Sequence, residues 1–176
     1  MTSMRAYVLT GTPGSGKTAI LRQLEVNGHA VVEEAATDVI ALGQASGDPR
    51  PWESGDFAER VLELQRRRRQ AVKGDALTFF DRSPVCTLAL CRYGNRPVPD
   101  GLLGEVEGYG RVAFLVRNLG FVEKTAARRI TQAESLVFET IHEDVYRELG
   151  FDLVEVPPGP LGERVALIEE VARVRP

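Results

Sequence analysis

The sequence is poor in the side chains from which disulfide frameworks and zinc sites are built. Its 176 residues include only two cysteines and two histidines. Cys86 and Cys91 are five positions apart, which places them on different faces of a helix and does not predict a disulfide. His142-Glu143 resembles the start of a metalloprotease helix, but Tyr146 stands where that motif requires its second histidine. We therefore predict neither a zinc site nor a disulfide-stabilised fold.

The sequence also lacks a long apolar run and an excess of positive charge. No stretch approaches the ~20 apolar residues that a membrane-spanning helix needs. The net charge of −3 gives no reason to expect nucleic acid as the main partner. The first apolar run starts at Ala6, which leaves no room for a secretory signal, so we expect a cytoplasmic protein. A length of 176 residues with 43% hydrophobic content favours one globular domain, residues 1–176.

What the sequence does contain is a phosphate-binding motif at residues 11–18. The P-loop pattern is met at every fixed position by Gly11, Thr12, Pro13, Gly14, Ser15, Gly16, Lys17 and Thr18. Glycines let successive backbone N–H groups point inward at phosphate oxygens. Lys17 would reach the β- and γ-phosphates of ATP, and the Thr18 hydroxyl would ligate Mg²⁺. A structural glycine-rich turn is the alternative, but an apolar run before the motif and a helical pattern after it favour ATP binding.

Five short apolar runs alternate with helical patterns along the chain. The runs predict strands at residues 6–9, 30–32, 76–80, 112–116 and 151–156. Helices are predicted at residues 18–25, 35–45, 55–72, 84–93, 126–149 and 164–174, and an irregular loop at 117–127. The apolar positions of the 126–149 helix are Ile130, Leu136, Val137, Ile141, Val145 and Leu149. Strands separated by helices predict an α/β fold with three layers around a five-stranded parallel sheet.

The residues that follow each predicted strand are the candidate site residues, because ligands of parallel sheets bind outside the carboxyl ends of the strands. The P-loop follows the first strand and Glu33-Glu34 follows the second. Asp81-Arg82 follows the third strand and Arg117 the fourth. We predict that these anion-binding groups and carboxylates converge on one edge of the sheet.

The chemistry assigned to these residues is that of phosphoryl transfer. Asp81 ends an apolar strand, as expected of an acid that holds Mg²⁺ directly or through water; helix capping is the alternative. Arg82 would clamp a phosphate or orient the acceptor, unless it only pairs an acid. Glu34 or Glu33 would take the proton from an acceptor hydroxyl. Alternatively, the two glutamates only start the next helix, where the helix dipole favours acidic residues, and have no chemical role.

The remaining candidate site residues do not directly follow a predicted strand. Arg128 and Arg129 would belong to a lid that brings a guanidinium to the transferring phosphoryl group, or else lie on a solvated helix face. The run Arg66–Arg69 predicts a solvated helix face near acidic partners rather than a substrate contact. Trp52 could stack on a flat substrate ring, but its setting favours hydrophobic packing. For His142 no chemical partner is evident, and we assign it a structural role.

Several of these segments together resemble the small NadR-like, AAA-labelled P-loop ATPases. The resemblance is carried by residues 11–18, 31–36 (Val-Val-Glu-Glu-Ala-Ala), 79–82 (Phe-Phe-Asp-Arg) and 125–129 (Thr-Ala-Ala-Arg-Arg). The stretches 138–146 and 154–164 also look like that family, so the resemblance covers nearly the whole chain. The P-loop is its most specific part. Many members of the family are known only as predicted ATPases.

A wider resemblance extends to nucleoside and nucleotide kinases and to the ribosylnicotinamide kinase part of NadR-type proteins. Asp81-Arg82-Ser83 is similar to the acid-Arg-Ser motif of deoxynucleoside kinases. The resemblance implies a Mg²⁺ role for Asp81 and contact with the reacting phosphate and acceptor for Arg82. It implies a base after the second strand, Glu34 first and Glu33 second.

The same resemblance carries further expectations about the fold and the nucleotide. It implies the strand order 2-3-1-4-5, lid roles for Arg128 and Arg129, and adenine contact by the loop 157–160, notably Pro158 and Gly159. Position 37 is threonine where the NadR-like pattern commonly has arginine, which weakens residue-level inference about the substrate. The absence of an Asn-Lys-x-Asp guanine motif favours ATP over GTP.

Three functions follow as hypotheses. The first is a kinase that transfers the γ-phosphoryl group of ATP, with Mg²⁺, to a hydroxyl of a small molecule that is nucleoside-like or a related metabolite. The second is a nucleotide-dependent switch or binding module that hydrolyses ATP without a small-molecule acceptor. The third is a stand-alone ATPase coupled to nothing that the sequence shows. Carboxylates at adjacent strand ends favour the kinase, because a switch does not require an acceptor pocket.

Overall fold

The computed structural model describes residues 5–74, 76–119 and 131–175, and within them it leaves out the side chain of Gln132. Its strands are β1 (Ala6–Thr10), β2 (Ala30–Val32), β3 (Thr78–Asp81), β4 (Val112–Val116) and β5 (Asp152–Val156). Its helices are α1 (Lys17–Val26), α2 (Ala35–Ala45), α3 (Phe57–Ala71), α4 (Pro84–Tyr93), α5 (Leu102–Val106), α6 (Gln132–Glu148) and α7 (Leu161–Val174). A 3-10 turn at Pro51–Glu53 precedes α3.

The five strands form one parallel sheet in the order β2-β3-β1-β4-β5. In register, Val8 of β1 lies beside Phe80 of β3 on one side and Ala113 of β4 on the other. The carboxyl ends of the three central strands therefore meet at the same edge of the sheet, which is where ligands bind in such folds. The predicted α/β fold and its strand order are confirmed.

Helices cover both faces of this sheet and give the fold its three layers. Tyr7 and Leu9 of β1 belong to the apolar cluster that includes residues of α1 and α7. Val8, which points to the opposite face, belongs to the cluster that includes residues of α4 and α6. The central strands are buried on both faces, as their near-continuous apolar sequence predicts. Among the described residues, no helix combines the length and apolarity required to cross a lipid bilayer.

Helix α6 differs from its sequence prediction in the composition of its buried face. It begins at Gln132, because Thr131 is its N-cap: the Thr131 hydroxyl accepts from Glu134 N, and the Glu134 carboxylate accepts from Thr131 N. The earlier start predicted at residue 126 falls outside the described residues. Two apolar positions of the prediction, Leu136 and Val137, are 49% and 55% exposed. Val145 is fully buried and Ile141 and Leu149 pack against the core, as predicted, but the buried face also includes the polar residues Ser135, Glu139 and His142.

Candidate phosphate-binding site and adjoining cavity

The P-loop connects β1 to α1 in a conformation that requires its glycines. Gly11 has φ of 128°, and a Cβ added to it would lie 2.4 Å from the carbonyl oxygen of Val116 in β4. Gly16, the N-cap of α1, is left-handed with φ of 87°. Side chains rarely adopt this backbone, so the chain can curl tightly at the start of the helix only with these residues. The backbone has the form that the motif predicts for binding phosphate.

Lys17 lies against the loop that precedes it. Its Nζ donates to the carbonyl oxygens of Gly11 at 3.0 Å and Thr12 at 2.9 Å, and to Ser15 Oγ at 3.1 Å. Burial, and then the nearby Arg82 guanidinium, lower the pKa of Lys17 from 10.5 to about 8. At neutral pH the ammonium group is still mostly protonated, so it remains a cation at the phosphate-binding loop. Thr18, the next residue, is exposed and lines the cavity described below.

Two buried contacts that the sequence did not reveal fix the P-loop from outside. Ser135 of α6 donates to Thr12 Oγ1 at 2.8 Å and contacts the Pro13 carbonyl oxygen at 3.2 Å. Arg164 of α7 donates to the carbonyl oxygens of Ser15, Arg117 and Pro157 at 2.6, 2.9 and 3.0 Å. The loop is thereby attached to α6, to the end of β4 and to the end of β5. Except for the bond from Arg164 to Pro157, which is seven residues away, these contacts join residues at least 47 positions apart, and the sequence carries no local signal for them.

Asp81, the last residue of β3, is a buried carboxylate with an unsatisfied atom. Its Oδ1 forms no hydrogen bond with any described residue, although the side chain is buried. Burial raises the pKa of Asp81 from 3.8 to about 6, against the opposing effect of Lys17. A native structure seldom leaves a buried carboxylate oxygen without a partner unless a ligand, ion or water belongs there. Helix capping, the alternative weighed from sequence, falls instead to Ser83, whose Oγ accepts from Val85 N at the start of α4.

Arg82 and Glu34 face each other across the ends of β3 and β2. Arg82 Nε lies 3.0 Å from Glu34 Oε1, and both residues line the cavity. Arg82 has φ of 70°, an uncommon conformation for a side chain other than glycine, and its N–H donates to Leu9 O in β1. Burial lowers the pKa of Arg82, but the Glu34 carboxylate raises it, and the net change is upward. Thr37 donates to Glu34 Oε2 at 3.1 Å, so both carboxylate oxygens have partners.

Glu33 and Glu34, which the sequence could not separate, have different surroundings. Glu33 is half-exposed, forms an ion pair with Arg22 and does not line this cavity. Glu34 reaches into the cavity beside Arg82. Arg68 of α3 holds the connection between β2 and α2, because it donates to the carbonyl oxygens of both glutamates at 3.0 and 2.9 Å. Of the two carboxylates, Glu34 is the one that a substrate in the cavity would meet.

The structure gives a partner to His142, for which none was evident from the sequence. His142 is fully buried in α6, and its Nε2 lies 3.3 Å from Arg82 Nη1. Its Nδ1 lies 2.8 Å from the carbonyl oxygen of Phe138. The contact was missed because 60 residues separate Arg82 from His142 and only the packing of α6 against the end of β3 brings them together.

Arg117 does not supply the free anion-binding group that its position after β4 predicts. Its guanidinium pairs with Glu139 at 3.0 Å, Glu143 at 3.1 Å and Glu155 at 2.7 Å. Burial alone would lower the pKa of Arg117, but the hydrogen bonds to these carboxylates raise it by more, so the net change is upward. The charge of Arg117 is therefore taken up by side chains of α6 and β5. The sequence prediction missed these partners because the three acidic residues lie far from Arg117 along the chain.

A cavity of about 560 Å³ adjoins the P-loop and the Glu34–Arg82 pair. One end is lined by the P-loop, Glu34, Asp81 and Arg82. The remainder is mainly apolar and includes Ile40, Trp52, Phe57, Val61, Tyr93 and Phe138. Gln65 and Thr87 add polar atoms to this lining, and Thr87 Oγ1 donates a hydrogen bond to Gln65 Oε1 at 3.1 Å. Trp52, for which stacking and packing were both open, lies on this cavity.

The other predicted candidates do not gather there. Pro158 and Gly159 follow β5 and are exposed, but they are not part of this cavity's lining. Arg128 and Arg129 lie outside the described residues. In the run Arg66–Arg69, the first two residues are exposed and pair with Glu63, as a solvated face predicts. The last two are about three-quarters buried and pair with Asp38 and Glu105.

Comparisons with known proteins agree with this geometry. A search of curated sequences finds no significant match. Among solved structures, a deoxyadenosine kinase from M. mycoides with the products dCMP and dCDP is similar, with a TM-score of 0.63, 14% identity, and 96% of this chain and 98% of that chain covered. A NadR protein in complex with NAD and AMP-PNP gives a TM-score of 0.67 and 12% identity, over 99% of this chain and 51% of that chain. A thymidylate kinase from Candida albicans gives 0.60 and 9%, over 98% and 92%.

At these identities the solved structures establish a shared P-loop kinase-like fold, and nothing finer. The family is established by sequence: a family model described as an AAA domain matches residues 6–164. The match includes the P-loop, Glu34 and the Asp81-Arg82 pair. The AAA-labelled P-loop family predicted from the sequence is therefore confirmed, and the chain belongs to the family whose model is described as an AAA domain.

Proposed function

We propose that this protein is an ATP-dependent kinase that phosphorylates a hydroxyl group of a small, nucleoside-like molecule. One observation carries the proposal. The P-loop, the Glu34–Arg82 pair and a mostly apolar set of side chains line one cavity of about 560 Å³, which is large enough for an organic acceptor beside the phosphates. Phosphate groups of ATP would occupy one end of this space and an organic acceptor the other. A protein that only hydrolyses ATP to change shape has no need of the second compartment, so the cavity favours transfer over a switch.

The residues at the junction suit an in-line transfer. The acceptor oxygen would attack the γ-phosphorus as the bond to the β-γ bridging oxygen breaks, leaving ADP. Glu34 would receive the proton of the acceptor hydroxyl. Lys17 and Arg82 would stabilise the negative charge on the phosphoryl oxygens, since both are buried cations at this end of the cavity. Both cations are already held by the fold, which reduces reorganisation during the reaction.

The residues present also fit a magnesium ion. Mg²⁺ is usually held by one or two carboxylates, water and the phosphates themselves, so it does not need a cluster of protein ligands. No cluster of three His, Cys, Asp or Glu side chains suited to a metal occurs within residues 5–74, 76–119 and 131–175. The free, buried Oδ1 of Asp81 and the exposed hydroxyl of Thr18 are the groups that would hold it. Bound there, Mg²⁺ would neutralise charge on the transferring phosphates.

The shape and chemistry of the far end of the cavity indicate the class of acceptor. Aromatic side chains, including Trp52, Tyr93 and Phe138, line it and suit a flat ring. Gln65 can hydrogen-bond a polar edge of that ring through its amide nitrogen, because Thr87 already donates to its oxygen. Arg128 and Arg129 remain proposed lid residues, and Pro158 and Gly159 remain proposed contacts of the adenine.

A product screen tests the proposal directly. The protein would be incubated with ATP, Mg²⁺ and a library of nucleosides and hydroxylated metabolites, and products would be detected by mass spectrometry. We expect one acceptor to gain a phosphoryl group in amounts equal to the ADP formed. Lys17→Ala is the matched inactive control, since it removes a phosphate-binding cation. ADP formed without any phosphorylated product would favour the switch. Unchanged ATP affinity in Lys17→Ala would contradict the P-loop assignment.

A further inference from the structure

Helix α6 presents a stripe of buried polar residues to the loops of the site. The stripe consists of Ser135, Glu139, His142 and Tyr146, spaced four, three and four residues apart, which is the spacing of one helix face. Each member contacts a different part of the sheet edge. Ser135 bonds to the P-loop, Glu139 to Asn118 N after β4, His142 to Arg82, and Tyr146 to Ser83 Oγ. Only the His142 contact reaches a side chain that we assign to catalysis.

The contacts of His142 determine which of its nitrogens carries the proton. Nδ1 lies 2.8 Å from the Phe138 carbonyl oxygen, which can only accept, so Nδ1 must be the donor. Nε2 faces a guanidinium nitrogen, which can only donate, so Nε2 must be an acceptor. A neutral imidazole with its proton on Nδ1 satisfies both contacts. Burial, and then the Arg82 charge, lower the pKa of His142 to about 3, which agrees with a neutral ring.

We propose that His142 is a positioning residue that holds the Arg82 guanidinium toward the transferring phosphoryl group; this role rests on the proposed kinase function. Glu34 attracts Arg82 from the β2 side as an ion pair, with Nε 3.0 Å from Oε1 but without a hydrogen bond at Nε, and His142 contacts Nη1 from the α6 side. The imidazole is therefore the directional partner, and together with the ion pair it restrains the guanidinium more than either contact alone would. Arg82 lines the cavity, so a guanidinium restrained in this way is available to a phosphoryl group bound there.

A neutral hydrogen-bond acceptor is the appropriate partner for orienting the Arg82 guanidinium. A second carboxylate in place of His142 would add negative charge beside the phosphates that Arg82 must attract. The imidazole orients the guanidinium without opposing its charge. Phe138, whose ring packs edge-on against His142 at 4.3 Å between centroids, lines the acceptor cavity. His142 therefore also connects the orientation of Arg82 to the wall that the acceptor would contact.

Asparagine and glutamine substitutions at position 142 separate this role from simple packing. The amide oxygen of glutamine can occupy the place of Nε2, whereas asparagine reaches only the place of Nδ1. We expect His142→Asn to lower turnover about 10- to 100-fold, the worth of one hydrogen bond to a charged group, with ATP affinity unchanged. His142→Gln should restore most of the turnover. His29→Asn is the control, because His29, which pairs with Glu169 at 2.9 Å, does not line the cavity and should tolerate the change.

A double-mutant cycle tests whether His142 acts through Arg82. In an Arg82→Lys background, His142→Asn should cause little further loss of turnover, because the contact is already broken. Equal losses in both backgrounds would mean that His142 acts through packing alone and would overturn the proposal. Full turnover of His142→Asn in the native background would overturn it as well.

Nuclear magnetic resonance of the isotope-labelled full chain decides the contact even if no acceptor is found. With only two histidines in the sequence, the imidazole nitrogens are readily assigned. We expect the His142 proton on Nδ1, no titration of this ring above pH 5, and a change in the Arg82 guanidinium signals in His142→Asn. A proton on Nε2, or unchanged Arg82 signals, would overturn the positioning role. A failed product screen with these signals present would count against the kinase proposal alone.

Discussion

Arg82 and Arg117 follow β3 and β4, the two strands on either side of β1, yet their surroundings are opposite. Arg117 is enclosed by three carboxylates, from α6 and β5. Arg82 has one carboxylate, Glu34, and one neutral imidazole, His142. The charge of Arg117 is exceeded by that of its partners, so it has no attraction left for a phosphate. An arginine at the end of a parallel strand is therefore a candidate for catalysis only when its other partners leave its charge available.

The largest expected effect comes from removing the charge of Arg82. Arg82→Met should lower turnover about 10³-fold, the lower end of what an arginine contributes in phosphoryl transfer. The unfolding temperature should also fall, because Glu34 loses its ion-pair partner, so turnover would be measured at a temperature at which both variants are folded. Steady-state kinetics and thermal unfolding would be measured together with Arg117→Met as the partner variant. Equal losses of turnover in the two variants would contradict the comparison.

Glu34→Gln should have the next largest effect. Loss of the proton acceptor should reduce phosphoryl transfer about 10²-fold, at the low end for general base catalysis. ATP affinity should stay nearly the same, since Glu34 is expected to meet the acceptor and not the nucleotide. Turnover and nucleotide affinity would be measured separately. Glu33→Gln, at the exposed pair with Arg22, is the control and should retain normal turnover. Full activity of Glu34→Gln would remove it as the base.

Arg117→Met should instead affect stability. Three carboxylates would lose their shared cation, and two of them, Glu139 and Glu143, are largely buried. We expect the free energy of unfolding to fall by about 2 kcal/mol, somewhat less than for a fully buried pair. Urea denaturation would measure the loss. Glu155→Gln is the matched control, because its side chain is 62% exposed and an exposed pair contributes under ~1 kcal/mol. A loss of turnover without loss of stability would be the contrary result.

The last expected effect is a gain in stability at Asp81, beside Arg82. The folded-state pKa of Asp81 is raised from 3.8 to about 6, so its contribution to stability is complete below pH ~4 and is lost as pH rises through about 6. Asp81→Asn does not titrate and should gain on the order of 3 kcal/mol over the native protein at pH 7.5. That gain should disappear near pH 4. Urea unfolding at several pH values would test this, and a difference independent of pH would contradict it.

Sequence reasoning succeeded where the information was local. The P-loop, the acid at the end of β3 and the alternation of strands and helices each depend on a few adjacent residues. The two arginines show its limit, because the partners that distinguish Arg82 from Arg117 lie 22 to 60 residues away. In α6, Leu136 and Val137 suggested the buried face, but the helix packs on polar loops and turns Ser135, Glu139 and His142 inward. A stripe of polar residues at helical spacing was visible in the sequence, but only the fold shows what it contacts.

Arg164 has a consequence for how the molecule could admit its substrates. One guanidinium ties the main chain of three segments together through Ser15, Arg117 and Pro157. Because these three segments are bonded to one side chain, we expect the P-loop side of the cavity to move as one rigid body. Opening and closing around an acceptor would then fall to the opposite wall, where α2 and α3 carry Ile40, Phe57 and Val61. Variation in acceptor preference among related chains should accordingly concentrate in those two helices.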